Sequence, residues 1–96
     1  MKIYISGPIT GDPNYKEKFD KAETSLNNNY DVVNPTKVVP FDENKTWSDY
    51  MREDIKVLLE CNAIYMMKGW QKSKGATLEF IIAKHLDMTI IYEDKK

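Results

Sequence analysis

The sequence predicts an α/β fold: a small doubly wound parallel sheet of about four strands, in spatial order 2-1-3-4, with three helices. Three observations predict it. Short runs rich in β-branched and aromatic residues alternate with longer segments of helical period along the whole chain. The run Ala63-Ile64-Tyr65-Met66-Met67 is apolar without interruption, as in strands covered on both faces. No internal repeat or low-complexity segment breaks the alternation.

Each element follows from its residues. Lys2–Ser6 carries Ile3, Tyr4 and Ile5 and is the first strand, ended by Gly7-Pro8 and a further glycine, Gly11. Residues 15–28 read as a helix with Phe19, Ala22, Glu23 and Leu26 on one side and Asn14 as its cap. Residues 30–33 form a second strand, stopped at Asn34-Pro35 because the position before a proline is biased toward extended backbone. Residues 36–45 contain Pro40, show no period and are expected to be a loop. A loop so long in a small domain is often functional. Thr46 or Ser48 caps a helix over 47–60, with Asp49 favoured near its positive end. The third strand covers 63–67, a loop covers 69–74, and Ser73 caps a helix over 73–86. Residues 88–92 form the last strand, and 93–96 read as a frayed polar tail.

Strands separated by helices pair in parallel through right-handed crossovers, which gives a flavodoxin- or Rossmann-like sheet. Such a sheet has a crevice where the chain reverses direction, here between the C-terminal ends of the first and third strands. Residues 7–14 and 69–74 would bound it, with 35–46 beside it.

Composition excludes several function classes. Ninety-six residues make one domain, residues 1–96, with a single core. The formal net charge of −1 and the lack of a basic run argue against a nucleic-acid polymer as partner. No apolar stretch approaches the length that spans a membrane, and the N-terminus reads as a strand rather than a signal peptide. One cysteine, Cys61, allows no internal disulfide, and one histidine, His85, leaves no zinc set. The expectation is a cytoplasmic protein that needs no metal or cofactor.

Two acids occupy positions where a structural helix would carry leucine. At 100° per residue, Glu79 shares its face with Gly75, Ala76, Ile82, Ala83 and Leu86, the stripe that should meet the core. Asp54 falls likewise between Trp47, Met51 and Leu58. A carboxylate against apolar surface is costly unless paired, and its pKa is pushed upward. Such groups gather where a reaction needs an acid or a nucleophile. The plain alternatives are a hydrogen-bonded structural Glu79 and an Asp54 salt bridge, though Arg52 and Lys56 lie on other faces of that helix.

The remaining candidates are more ambiguous. Ser73, Gly75 and Ala76 open a helix whose first amides would favour an anion, or they simply cap and pack. Tyr4, near the end of the first strand, can orient a carboxylate or serve as a core aromatic. Trp47 and Trp70 can stack on a flat ring, or lie in the core or an interface. His85 falls opposite Glu79 and is expected in solvent. Ile81 shares that outer face. Three helices leave part of one sheet face uncovered, which points to a homodimer.

Three stretches together resemble the nucleoside 2-deoxyribosyltransferase superfamily over nearly the whole chain. They are Lys-Ile-Tyr-Ile-Ser-Gly-Pro-Ile-Thr-Gly, then Asp54-Ile55 with Cys61-Asn62-Ala63, then Gly69 to Glu79 with its Ser-x-Gly-x-x-x-Glu run. The likeness is nearest to small phage and bacterial members and to the 2′-deoxynucleoside 5′-phosphate N-hydrolases. It implies that Glu79 attacks the anomeric carbon of a deoxyribose, that Asp54 assists departure of the base, and that Tyr4 positions the nucleophile. It implies substrate binding by Ser6, Gly7, Ile9 and Gly11 of the first loop and by Ser73, Gly75 and Ala76. Ser73 stands where the transferases carry an aspartate for the 5′-hydroxyl and the hydrolases a serine for the 5′-phosphate, so the resemblance favours a monophosphate. The implied partner is a small nucleoside or nucleotide.

Overall fold

Four strands pair in parallel in the order β2-β1-β3-β4, as the alternation predicts. They are β1 (Lys2–Ser6), β2 (Asp31–Val33), β3 (Ala63–Met66) and β4 (Thr89–Tyr92). The helices are α1 (Tyr15–Leu26), α2 (Pro35–Val38), α3 (Trp47–Leu58) and α4 (Lys74–His85), with a 3₁₀ turn at Trp70–Lys72. The computed structural model describes residues 1–93.

Register follows from strand periodicity. Ile3 pairs with Val32 on one side and Ala63 on the other, and Ala63 pairs with Thr89. Because successive side chains alternate between faces, Ile3 and Ile5 point one way and Tyr4 and Ser6 the other. On the first face α1 lays Phe19, Ala22 and Leu26 over Ile3, Ile5 and Ala63. On the second, Leu58 of α3 and Ala76 and Ala83 of α4 cover Tyr4, Ile64 and Met66. The small residues of α4 let it lie close to the sheet, and this brings its acidic position down onto β1.

Four details depart from the sequence expectations. Residues 35–38 form a helical turn rather than loop. Asn34 caps it, accepting from the Thr36 N–H at 3.1 Å, and Pro35 fits the first helical position. Asn14 makes no side-chain cap on α1. Asp12 instead accepts the Asn14 N–H at 2.9 Å and pairs with Lys18 at 2.8 Å. Leu86 is 54% exposed, because α4 stops at His85 and the chain turns away through Asp87 at φ 57°. Glu93 is not frayed: its N–H donates to the Met66 carbonyl, and its carboxylate accepts the Lys68 N–H at 2.7 Å. The rest of the expected polar tail lies outside the described residues.

The N-terminus of α3 is built as expected. Thr46 accepts the Asp49 N–H and Asp49 accepts the Thr46 N–H, a reciprocal capping box that fixes where the helix begins. Ser73 caps α4 by accepting the Ala76 N–H at 3.1 Å. That bond uses only the serine oxygen as acceptor, so its hydroxyl proton remains free to donate.

Candidate active site

The C-terminal ends of β1 and β3 open into a cleft of about 930 Å³. Its walls come from the loop after β1, from α2 and the following loop, from one face of α3 and from the start of α4. This is the crevice expected from the strand order. Gly7 is required at its base: a Cβ there would lie 2.7 Å from Met67 Sδ and 2.8 Å from Met67 Cβ, so only glycine lets β1 leave the sheet beside β3.

Glu79 and Asp54 both line the cleft, each from its own helix. Glu79 is 5% exposed, and both of its oxygens are engaged. Tyr4 OH donates to Oε2 at 2.7 Å, and Ser6 Oγ donates to Oε1 at 2.6 Å. Two hydroxyls from alternate positions of β1 thus hold the carboxylate in one orientation. Among the described residues no side-chain N or O is buried without a partner, so the clamp leaves nothing unsatisfied. Asp54 is 9% exposed and follows Trp47, Tyr50 and Met51 along the cleft-facing side of α3.

The electrostatics suit a pair of exchangeable protons. Burial pushes the Glu79 carboxyl up to about 7, helped by the Asp54 charge and opposed by the Ser6 and Tyr4 hydrogen bonds. Burial also raises Asp54 to about 6, with the Glu53 charge adding to it and Lys45 opposing. Both carboxyls are thus raised toward neutral pH chiefly by burial, with the Asp54 charge a minor addition at Glu79. Tyr4 is raised well above its usual value, first by burial and then by the Glu79 and Asp54 charges, so it stays a donor.

The other sequence candidates divide. Gly7, Ile9, Gly11, Ser73, Gly75, Ala76 and Trp47 all line the cleft. Ser6 does not. It is fully buried, and its hydroxyl donates to Glu79. Trp70 is not in the lining either. It stacks on Phe80 with ring centres 4.4 Å apart and packs against the core. Trp47 is 38% exposed and carries Lys74 Nζ 4.2 Å from its ring centre. His85 is exposed, as expected.

Sequence reasoning missed the cationic rim and the aromatic loop. Lys68, Lys72 and Lys74 line the cleft around the start of α4. Phe41 and Tyr50 line it as well. The lysines are separated by uncharged residues between β3 and the start of α4, and the loop holding Phe41 has no period, so neither stood out as a run or a repeat. Among the described residues no three His, Cys, Asp or Glu side chains gather into a metal site, and no helix is long and apolar enough to cross a membrane.

The fold has a counterpart among solved structures. A 2-deoxyribosyltransferase from the psychrotolerant bacterium Bacillus psychrosaccharolyticus matches with a TM-score of 0.73 at 17% identity, covering 96% of this chain and 71% of that one. At that identity the likeness establishes a shared fold. No curated protein matches the chain in sequence. A family model described as "Domain of unknown function (DUF4406)" matches residues 1–92, and the chain belongs to that family.

Proposed function

We propose that this protein cleaves the N-glycosidic bond of 2′-deoxynucleoside 5′-monophosphates, with Glu79 as nucleophile. One observation carries the proposal. Two buried acids from separate helices line a single cleft, and one has both oxygens clamped by hydroxyls. That is the equipment of retaining glycosyl chemistry, in which a carboxylate attacks the anomeric carbon while an acid serves the leaving group. The shared fold with a 2-deoxyribosyltransferase supports the same class of reaction.

In the first step a Glu79 oxygen bonds to C1′ as the C1′–N bond breaks. The bonding pair leaves with the base, and Asp54 supplies the proton that neutralises it. In the second step Asp54 takes a proton from water, whose oxygen attacks C1′ and displaces the Glu79 carboxylate. Deoxyribose 5-phosphate leaves. Transfer to another base is the same second step with a different acceptor. The phosphate belongs at the start of α4, where the Ser73 hydroxyl, the first-turn amides and Lys68, Lys72 and Lys74 converge on the cleft.

The test is product analysis with a panel of deoxynucleoside monophosphates, the matching nucleosides and an added free base. The expected result is free base with deoxyribose 5-phosphate from the monophosphates, and much slower release from nucleosides. Tight binding without turnover would replace the enzyme with a nucleotide-sequestering module. A product carrying the added base would make transfer the reaction.

A pH profile checks the dyad. The reactive form has Glu79 ionised and Asp54 protonated, so kcat/KM should be bell-shaped with its maximum between about 6 and about 7. Asp54→Asn should lower the rate by roughly 10²- to 10³-fold and remove the alkaline limb. A profile flat from pH 5 to pH 9, at roughly one-unit steps, would sink the two-acid mechanism.

The homodimer expected from the sequence is part of the same proposal. Ile81 and Leu86, exposed apolar residues at 47% and 54%, support it. A monomer mass in sedimentation would remove it.

A further inference from the structure

We infer that Phe41 is the residue on which the base of the substrate stacks, and that Tyr50 fixes it there. The inference rests on the nucleotide reading above and deepens it by assigning the base-binding end of the cleft. Six aromatic side chains line the cleft, and five have other engagements. Tyr4 is buried and bound to Glu79, and Phe19 and Tyr15 of α1 pack into the core cluster with Ile3, Ile5 and Ala63. Tyr50 uses its hydroxyl on Asp42, and Trp47 has one ring face covered by Lys74. Phe41 is 72% exposed, and among the described residues no aromatic pair or cation contact involves it.

An exposed phenylalanine on a pliant loop would be unremarkable, but this one is carried on a pinned backbone. The Tyr50 hydroxyl donates to the Asp42 carbonyl at 2.6 Å and accepts the Asp42 N–H, so both backbone groups of the residue next to Phe41 are held by α3. The Lys45 N–H donates to the Asp42 carbonyl at 3.0 Å, and Lys45 pairs with Glu53 of α3 at 2.8 Å. Tyr50 lies one helical turn before Asp54 on α3. Phe41 is thereby held over the same helix that supplies the proton to the departing base. The start of α4, with Ser73 and its lysines, lies beside Trp47: a Cβ on Gly75 would sit 3.9 Å from the Trp47 indole nitrogen. One cleft therefore holds both the anion-favouring start of α4 and the flat apolar ring of Phe41.

The experiment measures wild type and Phe41→Ala by calorimetry with a deoxynucleoside monophosphate and with deoxyribose 5-phosphate, which has no base. It also measures KM and kcat for base release. Removing one stacking partner should weaken monophosphate binding by roughly 5- to 150-fold, the range measured when an aromatic stacked on a base is truncated. Affinity for deoxyribose 5-phosphate should stay the same, and Phe41→Trp should restore monophosphate binding. Folding is not at risk at so exposed a site. Unchanged monophosphate affinity, or equal loss for both ligands, would overturn the assignment of Phe41 while leaving the glycosidase reading standing. A wild type that binds neither ligand would overturn both.

Discussion

Glu79→Gln should lose release of base from deoxynucleoside monophosphates by roughly 10⁴-fold or more, the scale seen when a covalent enzyme loses its nucleophile. Glutamine is the informative substitution because it keeps the shape of the site. Its carbonyl oxygen can accept from Tyr4, and its amide can donate to the Ser6 oxygen, so each hydroxyl of the present clamp keeps one hydrogen bond. Glu79→Ala removes the same chemistry but strands two buried hydroxyls, at a cost of about 1–3 kcal/mol each. Its inactivity would mix lost chemistry with lost packing. Base release by liquid chromatography, with circular dichroism to confirm the fold, separates the two. Wild-type rates from Glu79→Gln would mean that the carboxylate is not the nucleophile.

The second large effect is on stability, and it has the opposite sign. Glu79 is held up to about 7 in the folded protein, against an ordinary value of 4.5. Between those values the folded chain keeps a proton that the unfolded chain has released. Stability therefore falls as pH rises through that window and levels off above it. Asp54, raised from 3.8 to about 6, adds the same trend over a lower range. Glutamine at position 79 has no proton to lose, so Glu79→Gln should be more stable than wild type at pH above about 7, by an amount on the order of 3 kcal/mol. The difference should shrink toward zero below the unfolded value of 4.5. Urea unfolding at several pH values measures it. A difference that does not change with pH, or a less stable glutamine variant at alkaline pH, would show that Glu79 carries no burial cost. Together the two results would mark a residue kept for chemistry at the expense of stability.

Most of the fold was legible because the alternation of strand and helix periods is strong, and parallel crossovers leave few topologies. The failures are local and share a cause. Asn34-Pro35 does stop β2 at Val33, but the same pair also caps and opens a helical turn where the sequence predicts loop over residues 36–45. Leu86 fits the buried stripe of α4 by period alone, but the helix ends one residue earlier and the arithmetic no longer applies.

The candidate site was half legible. Helical period alone put Glu79 and Asp54 among apolar neighbours, and both are buried. It could not pair Glu79 with Ser6, because contacts spanning 73 residues are made by the tertiary fold. Ser6 is named from the sequence only as a substrate-binding residue, and its bond to Glu79 becomes visible once the strands and helices are assembled. The tryptophans drew attention by their size, whereas the free ring in the cleft is Phe41, in a loop that has no period to read.

Glycosyl transfer to Glu79 requires a deoxyribose lying between Glu79 and Asp54, and a crystal structure of Glu79→Gln with a bound deoxynucleoside monophosphate tests that most directly. The predicted result places C1′ about 3–3.5 Å from the side-chain oxygen at position 79, the near-attack distance. The leaving nitrogen should face Asp54, and the phosphate should lie at Ser73. A nucleotide bound with its sugar away from position 79, or with Asp54 turned out of the cleft, would contradict it.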